Sequence, residues 1–139
     1  MIKADIIELL NEALQCEYTD VFLYPREADL VREREISAQF AKFGAMELRH
    51  ADNIAMQIRT LGGKPYWDFM PLDSNKTLND ILLYHLGKEE KCIKVYDNLI
   101  NVADEEGQEQ LKLLLKGIKS EEEMHLKAIK EFVEKTKAG

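Results

Sequence analysis

The sequence predicts an all-α protein built as an antiparallel bundle of four helices. Glycine and proline are scarce, with seven and three in 139 residues, and the apolar residues mostly recur at helical spacing. A chain of this length is expected to form one domain over residues 1–139 with a substantial buried core. Each predicted helix also places one glutamate in its otherwise apolar stripe.

The first predicted helix carries an apolar stripe that starts at Ile6 and ends at Tyr24, with Glu17 inside it. Pro25 has no amide hydrogen, so we expect it to end or kink this helix. The charge-dense segment 26–35 is then expected to continue as irregular or kinked helix toward a turn.

The second helix is predicted from about residue 36 to residue 61, where a Gly-Gly pair provides a left-handed cap. Residues 62–76 show no helical period, which predicts a long crossover between the second and third helices. This crossover is expected to be ordered and to lay its aromatic side chains on the bundle, because two prolines flank them: Pro65, Tyr66, Trp67, Phe69 and Pro71.

Thr77 is the predicted N-cap of the third helix, and Asp80 follows three residues later in its first turn. Gly107 is expected to end that helix, and the fourth helix then carries its stripe from Leu111 to Phe132. The short connection at Gly107 and the long crossover together predict two antiparallel helix pairs joined end to end.

Charge and composition exclude several classes of partner. The net charge is −7 and the basic residues are interleaved with acidic ones, which argues against nucleic acid. No apolar run approaches the roughly 18–20 residues of a membrane span. Residues 1–5 lack the features of a signal peptide, so we expect a cytoplasmic protein. In that reducing compartment Cys16 and Cys92 are expected to be free thiols.

The pair Glu47 and His50 lies on one helical face, and the same spacing recurs at Glu122 and His125. With Glu17 and Glu89 on the other two helices, the stripes bring four carboxylates into the core, where each uncompensated charge costs several kcal/mol. Two divalent cations would balance them, and carboxylate with imidazole suits iron or manganese. The alternative is a bundle whose polar residues merely face solvent.

The two halves of the chain repeat this arrangement. Tyr24 follows Glu17 by seven residues and Tyr96 follows Glu89 by seven, which is about two helical turns. We therefore predict two equivalent half-sites that close one dinuclear metal site. Tyr24 either packs in the core, hydrogen-bonds a metal ligand or passes an electron.

One glutamate from each of two helices, with Glu-x-x-His from the other two, resembles the ferritin-like di-iron carboxylate proteins. The runs 47–52 and 61–65 are similar to the second helix of bacterioferritins. The resemblance implies a ferritin-like bundle with two iron ions, bridged by Glu47 and Glu122. It also implies four terminal ligands, namely Glu17, His50, Glu89 and His125.

The activity implied by this resemblance is that of a di-iron oxidoreductase that binds Fe²⁺ and oxidises it with O₂ or hydrogen peroxide. An electron donor is not identified by the sequence. Two alternatives stay open: a peroxide reductase similar to rubrerythrin, and a metal-binding bundle without turnover.

The sequence departs from the families that it resembles in three places, and each departure narrows what the resemblance implies. Bacterioferritins carry a haem-ligating methionine where this chain has Leu48, so no haem is expected. Little sequence follows the fourth helix, so a storage cage is not expected; a homodimer is expected from the habit of the family and from the exposed aromatic crossover. Rubrerythrins carry an additional glutamate where this chain has Cys92, and Cys-x-x-Cys is missing.

Several polar residues neighbour the candidate ligands without lying in the stripes. Glu90, Glu121 and Glu123 are expected to be solvated because of their helical phase. For Asp20 a surface acid is favoured over an outer acceptor, and for His85 a partly buried histidine is favoured over a place beside the ligands. Cys92 is expected to be a small buried apolar residue.

Overall fold

The computed structural model describes residues 2–70 and 77–138. Four helices make up the fold: α1 (Ile2–Leu30), α2 (Arg34–Thr60), α3 (Leu78–Glu105) and α4 (Glu109–Ala138). Helix α1 packs mainly against α2, and α3 packs mainly against α4. The described residues contain no strand, so the predicted all-α bundle of two helix pairs is confirmed. No helix in the described ranges is long and apolar enough to cross a membrane.

Helix α1 continues past Pro25 to Leu30, so of the two predicted outcomes, an end or a kink, the end is wrong. The proline ring lies against Gly44 of α2, where an added Cβ would stand 2.9 Å from the Pro25 Cγ atom. Because glycine has no side chain, α2 comes close enough to pack on the ring. The amide of Val31 donates to the Glu27 carbonyl at 2.9 Å, which completes the last turn of α1.

Helix α2 begins at Arg34, two residues before the predicted start. The Glu33 carboxylate caps it by accepting hydrogen bonds from the amides of Glu35 and Ile36 at 3.1 and 2.9 Å. The predicted irregular segment 26–35 is therefore reduced to residues 31–33 between the two helices.

The described part of the crossover packs on the bundle, as predicted, and it does so along α1. The Asn11 side chain donates to the Lys64 carbonyl at 3.1 Å and accepts from the Tyr66 amide at 2.8 Å. The Trp67 ring packs on Tyr18 with centroids 4.7 Å apart. These contacts fix the crossover against the outer face of α1. Pro71 and the rest of segment 71–76 lie outside the described residues.

The predicted boundaries of α3 are confirmed. The Thr77 hydroxyl accepts a hydrogen bond from the Asp80 amide at 3.1 Å, and the helix starts at Leu78. It ends at Glu105, and Gly107 then adopts a positive φ of 67°, which glycine accommodates without strain. Residues 106–108 alone connect α3 to α4.

Two apolar clusters fill the bundle and leave a polar layer between them. One cluster includes Leu10, Leu14, Ile54, Leu99 and Leu115. The other includes Tyr24, Phe40, Leu82, Ile129 and Phe132. Along every helix the candidate ligands stand between residues of these two clusters, so the fold holds them at mid-height, away from both ends.

Candidate metal centre

Three groups of buried carboxylate and imidazole side chains place their possible ligand atoms within 4.8 Å of one another. The smallest consists of Asp20, His85 and Glu89, and the other two contain four residues each and overlap. The His50 group consists of Glu17, Glu47, His50 and Glu122. The His125 group consists of Glu47, Glu89, Glu122 and His125. The structure thus brings all six predicted metal-ligand candidates together, and Glu47 and Glu122 belong to both groups.

The Nδ1 atom of His50 faces three carboxylates. It lies 2.9 Å from Glu122 Oε1, 3.0 Å from Glu47 Oε1 and 3.4 Å from Glu17 Oε2. Burial alone would lower the pKa of His50, but Glu17 and Glu47 outweigh it and raise that pKa to about 11. Without metal, His50 therefore carries a proton that partly compensates the carboxylates around it.

The other ring nitrogen of His50 contacts Glu121, which corrects the prediction that Glu121 is simply solvated. His50 Nε2 lies 2.8 Å from Glu121 Oε1, and Arg49 holds the second Glu121 oxygen at 3.3 Å. A carboxylate that accepts from Nε2 fixes the ring and leaves Nδ1 facing the group, as in many metal-binding histidines. Glu90 and Glu123 are exposed, as predicted.

His125 has a much less polar environment. Its Nδ1 lies 3.6 Å from Glu47 Oε1 and has no hydrogen-bond partner among the described residues. Its Nε2 lies 3.4 Å from the Met46 sulfur, which is a weak acceptor. Burial lowers the pKa of His125, so the imidazole is neutral, which is the form that binds metals.

Several carboxylate oxygens of the centre accept no hydrogen bond from the described residues and are therefore available to bind a metal ion. Within the described ranges, four of these buried oxygens have no hydrogen-bond partner: Glu17 Oε2, both Glu47 oxygens and Glu89 Oε2. Burial and the neighbouring Glu47 raise the pKa of Glu17 to about 7, and burial also raises the pKa of Glu122. Buried carboxylates without donors are costly unless a cation neutralises them, so these residues fit a pair of divalent metal ions.

A buried lysine, missed in the sequence, lies beside the His125 group. Lys88 Nζ lies 2.6 Å from Glu89 Oε1 and 2.5 Å from Asp20 Oδ2, and all three side chains are almost fully buried. Asp20 and Glu89 raise the pKa of Lys88 although burial opposes this, and Lys88 in turn lowers the pKa of Glu89. The prediction that Asp20 is a surface acid is wrong.

His85 is fully buried rather than partly buried, and it extends this polar network. Its Nε2 lies 2.5 Å from Glu27 Oε1, and its Nδ1 lies 3.7 Å from Asp20 Oδ1. The ring stacks on Tyr24 with centroids 4.2 Å apart.

The two tyrosines are buried one layer from the carboxylates, but only one of them has a partner there. The Tyr24 hydroxyl donates to Glu89 Oε1 at 3.2 Å. The Tyr96 hydroxyl has no hydrogen-bond partner among the described residues. Burial and nearby carboxylates raise the pKa of both phenols well above 10.0. Both therefore stay protonated.

Cys16 and Cys92 form a disulfide, which corrects the prediction of two free thiols. Cys16 precedes Glu17 on α1 and Cys92 follows Glu89 by three residues on α3. Because Glu17 and Glu89 face the same centre, the two cysteines come to the same level of the bundle. Their Cα atoms are 6.1 Å apart, within the range that a disulfide spans.

The sequence held signals for several of these missed residues. Asp20 follows Glu17 at the three-residue spacing that relates Glu47 to His50. His85 and Lys88 have the same spacing on α3, and Cys92 lies one turn beyond Lys88. These spacings place His85, Lys88 and Cys92 on the face of α3 that packs against α1, where Asp20 and Cys16 contact them.

The profile of the ferritin-like domain family matches residues 7–138. A bacterioferritin from Desulfovibrio desulfuricans is 28% identical over 128 residues, which cover 89% of this chain and 72% of that protein. A crystal structure of D. desulfuricans bacterioferritin, described as having a diiron site in different catalytic states, matches with a TM-score of 0.91 and 26% identity. The match covers 99% of this chain and 82% of that chain.

Two further solved structures share the fold. A ferritin-like, diiron-carboxylate protein from Bacillus anthracis has a TM-score of 0.91 and 24% identity, over 96% of this chain and 98% of that one. Rhodobacter capsulatus bacterioferritin, described with a metal-free dinuclear site and heme iron, has a TM-score of 0.87 and 24% identity, over 94% and 84%. At these identities the similarity establishes the bundle architecture.

Proposed function

Because this chain belongs to the ferritin-like domain family, we propose that it is a di-iron carboxylate protein that binds two Fe²⁺ ions and oxidises them with O₂ or hydrogen peroxide. The observation that carries the proposal is the pair of donor groups that share Glu47 and Glu122. The D. desulfuricans bacterioferritin, a similar protein with a described diiron site, supports iron as the metal. Manganese suits the same ligands.

In this proposal Glu47 and Glu122 would each help to hold both metal ions, because each contributes to both four-residue groups. Glu17 and His50 would hold one ion from α1 and α2, and Glu89 and His125 would hold the other from α3 and α4. Bound iron supplies the electrons that reduce the oxidant. Two divalent ions also match the four carboxylates in charge, which removes the cost of burying them.

The residues around the ligands position them. Glu121 keeps the His50 ring oriented through Nε2. Tyr24 and Lys88 both hold Glu89 Oε1 and leave Glu89 Oε2 without a hydrogen bond among the described residues. The clusters above and below are apolar and exclude water, which strengthens the electrostatic interactions inside the layer.

Anaerobic titration with Fe²⁺ tests the proposal. We expect two tightly bound irons per chain, and ferric absorption in the near ultraviolet when air or peroxide is admitted. Glu122→Gln should bind iron at least tenfold more weakly, because both ions lose a charged ligand. Glu123→Gln is the matched control, since Glu123 is the exposed neighbour.

Two outcomes would overturn the di-iron proposal. One is a wild-type stoichiometry well below two, and the other is normal iron binding by Glu122→Gln. The oxidant separates the alternative functions: oxidation much faster with peroxide than with O₂ favours a peroxide reductase. Two irons without repeated turnover favour a metal-binding bundle. The cytoplasmic location, the homodimer and the lack of haem stay predictions.

A further inference from the structure

The disulfide lies directly beside the candidate metal centre. Cys16 is adjacent in sequence to Glu17, and Cys92 lies about 4.5 Å along the axis of α3 from Glu89, at 1.5 Å per residue. Both cysteines are buried, with exposed fractions of 4% and 2%. The S–S bond therefore joins the two helices that supply the terminal glutamates, at the level of those glutamates.

A stabilising cross-link is not needed at this place. Small proteins with insufficient cores use disulfides to fold, but this chain of 139 residues has two extensive apolar clusters. Helices α1 and α3 already contact each other, and Leu10 and Leu14 of α1 belong to the same apolar cluster as Val95 and Leu99 of α3. The position of the cysteines next to two candidate ligands points instead to a redox role beside the metal centre.

We propose that Cys16 and Cys92 form a reversible two-electron store for the metal centre, which would return the irons to Fe²⁺ after the oxidation in the proposed function. The inference rests on that function. Starting from two thiols, both S–H bonds break, one S–S bond forms and two protons are released. The two electrons reduce two Fe³⁺ to two Fe²⁺. One disulfide therefore matches one pair of irons.

Reopening the disulfide requires a reductant, and we assign that role to a dithiol. A shallow cavity of about 230 Å³ lies on the surface between α1 and α3 and includes Glu12, Lys91 and Val95 in its lining. Glu12 lies one turn before Cys16, and Lys91 and Val95 flank Cys92. The cavity lies beside the buried bond without exposing it, and its two lysines, Lys91 and Lys94, favour the thiolate form of a small dithiol that binds there.

The test follows the thiols and the iron separately. Full-length protein is reduced with dithiothreitol, desalted without air and shown to have two free thiols per chain. It is loaded with two Fe²⁺ and given one equivalent of hydrogen peroxide, which oxidises both irons. One aliquot is then unfolded in denaturant with N-ethylmaleimide, so that mass spectrometry counts the buried thiols, and in a second aliquot a ferrous chelator counts Fe²⁺. We expect thiols to fall from two to none while two Fe²⁺ return.

Two controls isolate the route. Zinc-loaded protein given the same peroxide should keep both thiols, because zinc carries no electrons to the oxidant. In Cys16→Ser/Cys92→Ser the iron should be oxidised and should stay ferric. Rapid loss of thiols in the zinc protein would mean direct attack by peroxide and would overturn the inference.

The starting steps keep the two proposals apart. If iron does not bind or is not oxidised, the di-iron function fails and the electron store fails with it. If iron is bound and oxidised but both thiols persist and no Fe²⁺ returns, the electron store alone is wrong.

Discussion

The two histidines of the candidate centre occupy equivalent places on α2 and α4, each three residues after a shared glutamate, but their surroundings differ. His50 faces three carboxylates within 3.4 Å and contacts a fourth, Glu121, through its other nitrogen. His125 has weaker polar contacts, with Nε2 3.4 Å from the Met46 sulfur and Nδ1 3.6 Å from Glu47 Oε1. The imidazole of His50 is protonated in the metal-free protein, whereas that of His125 is neutral.

The positive charge near Glu89 comes from a different residue. Lys88 contacts Glu89 and Asp20, and no described residue gives Glu17 an equivalent lysine. The internal repeat in the sequence thus duplicates the candidate ligands but not the groups that balance their charge. The candidate ligands are therefore nearly symmetric, but the charges around them are not. The ammonium of Lys88 stabilises the carboxylates near Glu89, and the proton on His50 stabilises those near Glu17.

Lys88→Met should have the largest effect on the metal-free protein. Removing the ammonium leaves Asp20 and Glu89 buried without a cation, which costs about 3–5 kcal/mol in the free energy of unfolding. Urea unfolding measures this, with Lys91→Met as the exposed control. An effect below about 1 kcal/mol would show that Lys88 does not compensate these acids.

His50→Gln should destabilise the metal-free protein by about 1–3 kcal/mol, because buried carboxylates lose their donor. His125→Gln should change it by less than about 1 kcal/mol. Both variants should bind iron more weakly. Equal destabilisation by the two substitutions would contradict the difference between the two ends.

The same comparison has a pH signature in the metal-free wild type. The folded-state pKa of His50 is raised from 6.5 to about 11, so its stabilising contribution is complete below pH 6.5 and is lost as the pH rises toward 11. Unfolding experiments across this range should therefore show falling stability at high pH. In His50→Gln this fall in stability should be smaller. An unchanged pH profile would mean that a group other than His50 causes the fall.

Substitutions of the two tyrosines should have small effects. Tyr24→Phe should lose about 1 kcal/mol, because one hydrogen bond to Glu89 is removed. Tyr96→Phe should cost less, because the Tyr96 hydroxyl makes no hydrogen bond of normal geometry among the described residues and interacts only weakly with Glu17. Thermal or urea unfolding of the pair checks this order. A larger loss for Tyr96→Phe would reverse the assignment of the two phenols.

Helical periodicity explains why so much of the fold and of the donor set could be predicted. The stripes identified four helices, and a glutamate inside an apolar stripe has to face the core. Glu47 with His50 and Glu122 with His125 followed from spacing within one helix, which sequence reports directly. The helix boundaries at Thr77 and Gly107 depend on local cap chemistry, so they could also be predicted from the sequence.

The residues that were missed depend on contacts between helices. Whether Asp20 meets solvent or Lys88, and whether Cys16 meets Cys92, is decided by the rotation and axial register of α1 against α3. Pro25 is similar, because the helix tolerates it where Gly44 of α2 lies opposite. Sequence spacing within one helix does not determine these pairings.

Anomalous diffraction from crystals grown anaerobically with Fe²⁺ tests the central claim most directly. The account predicts two iron peaks per chain, each in contact with both Glu47 and Glu122, one also touching His50 and the other His125. A single peak, or two peaks that do not share these glutamates, would contradict it.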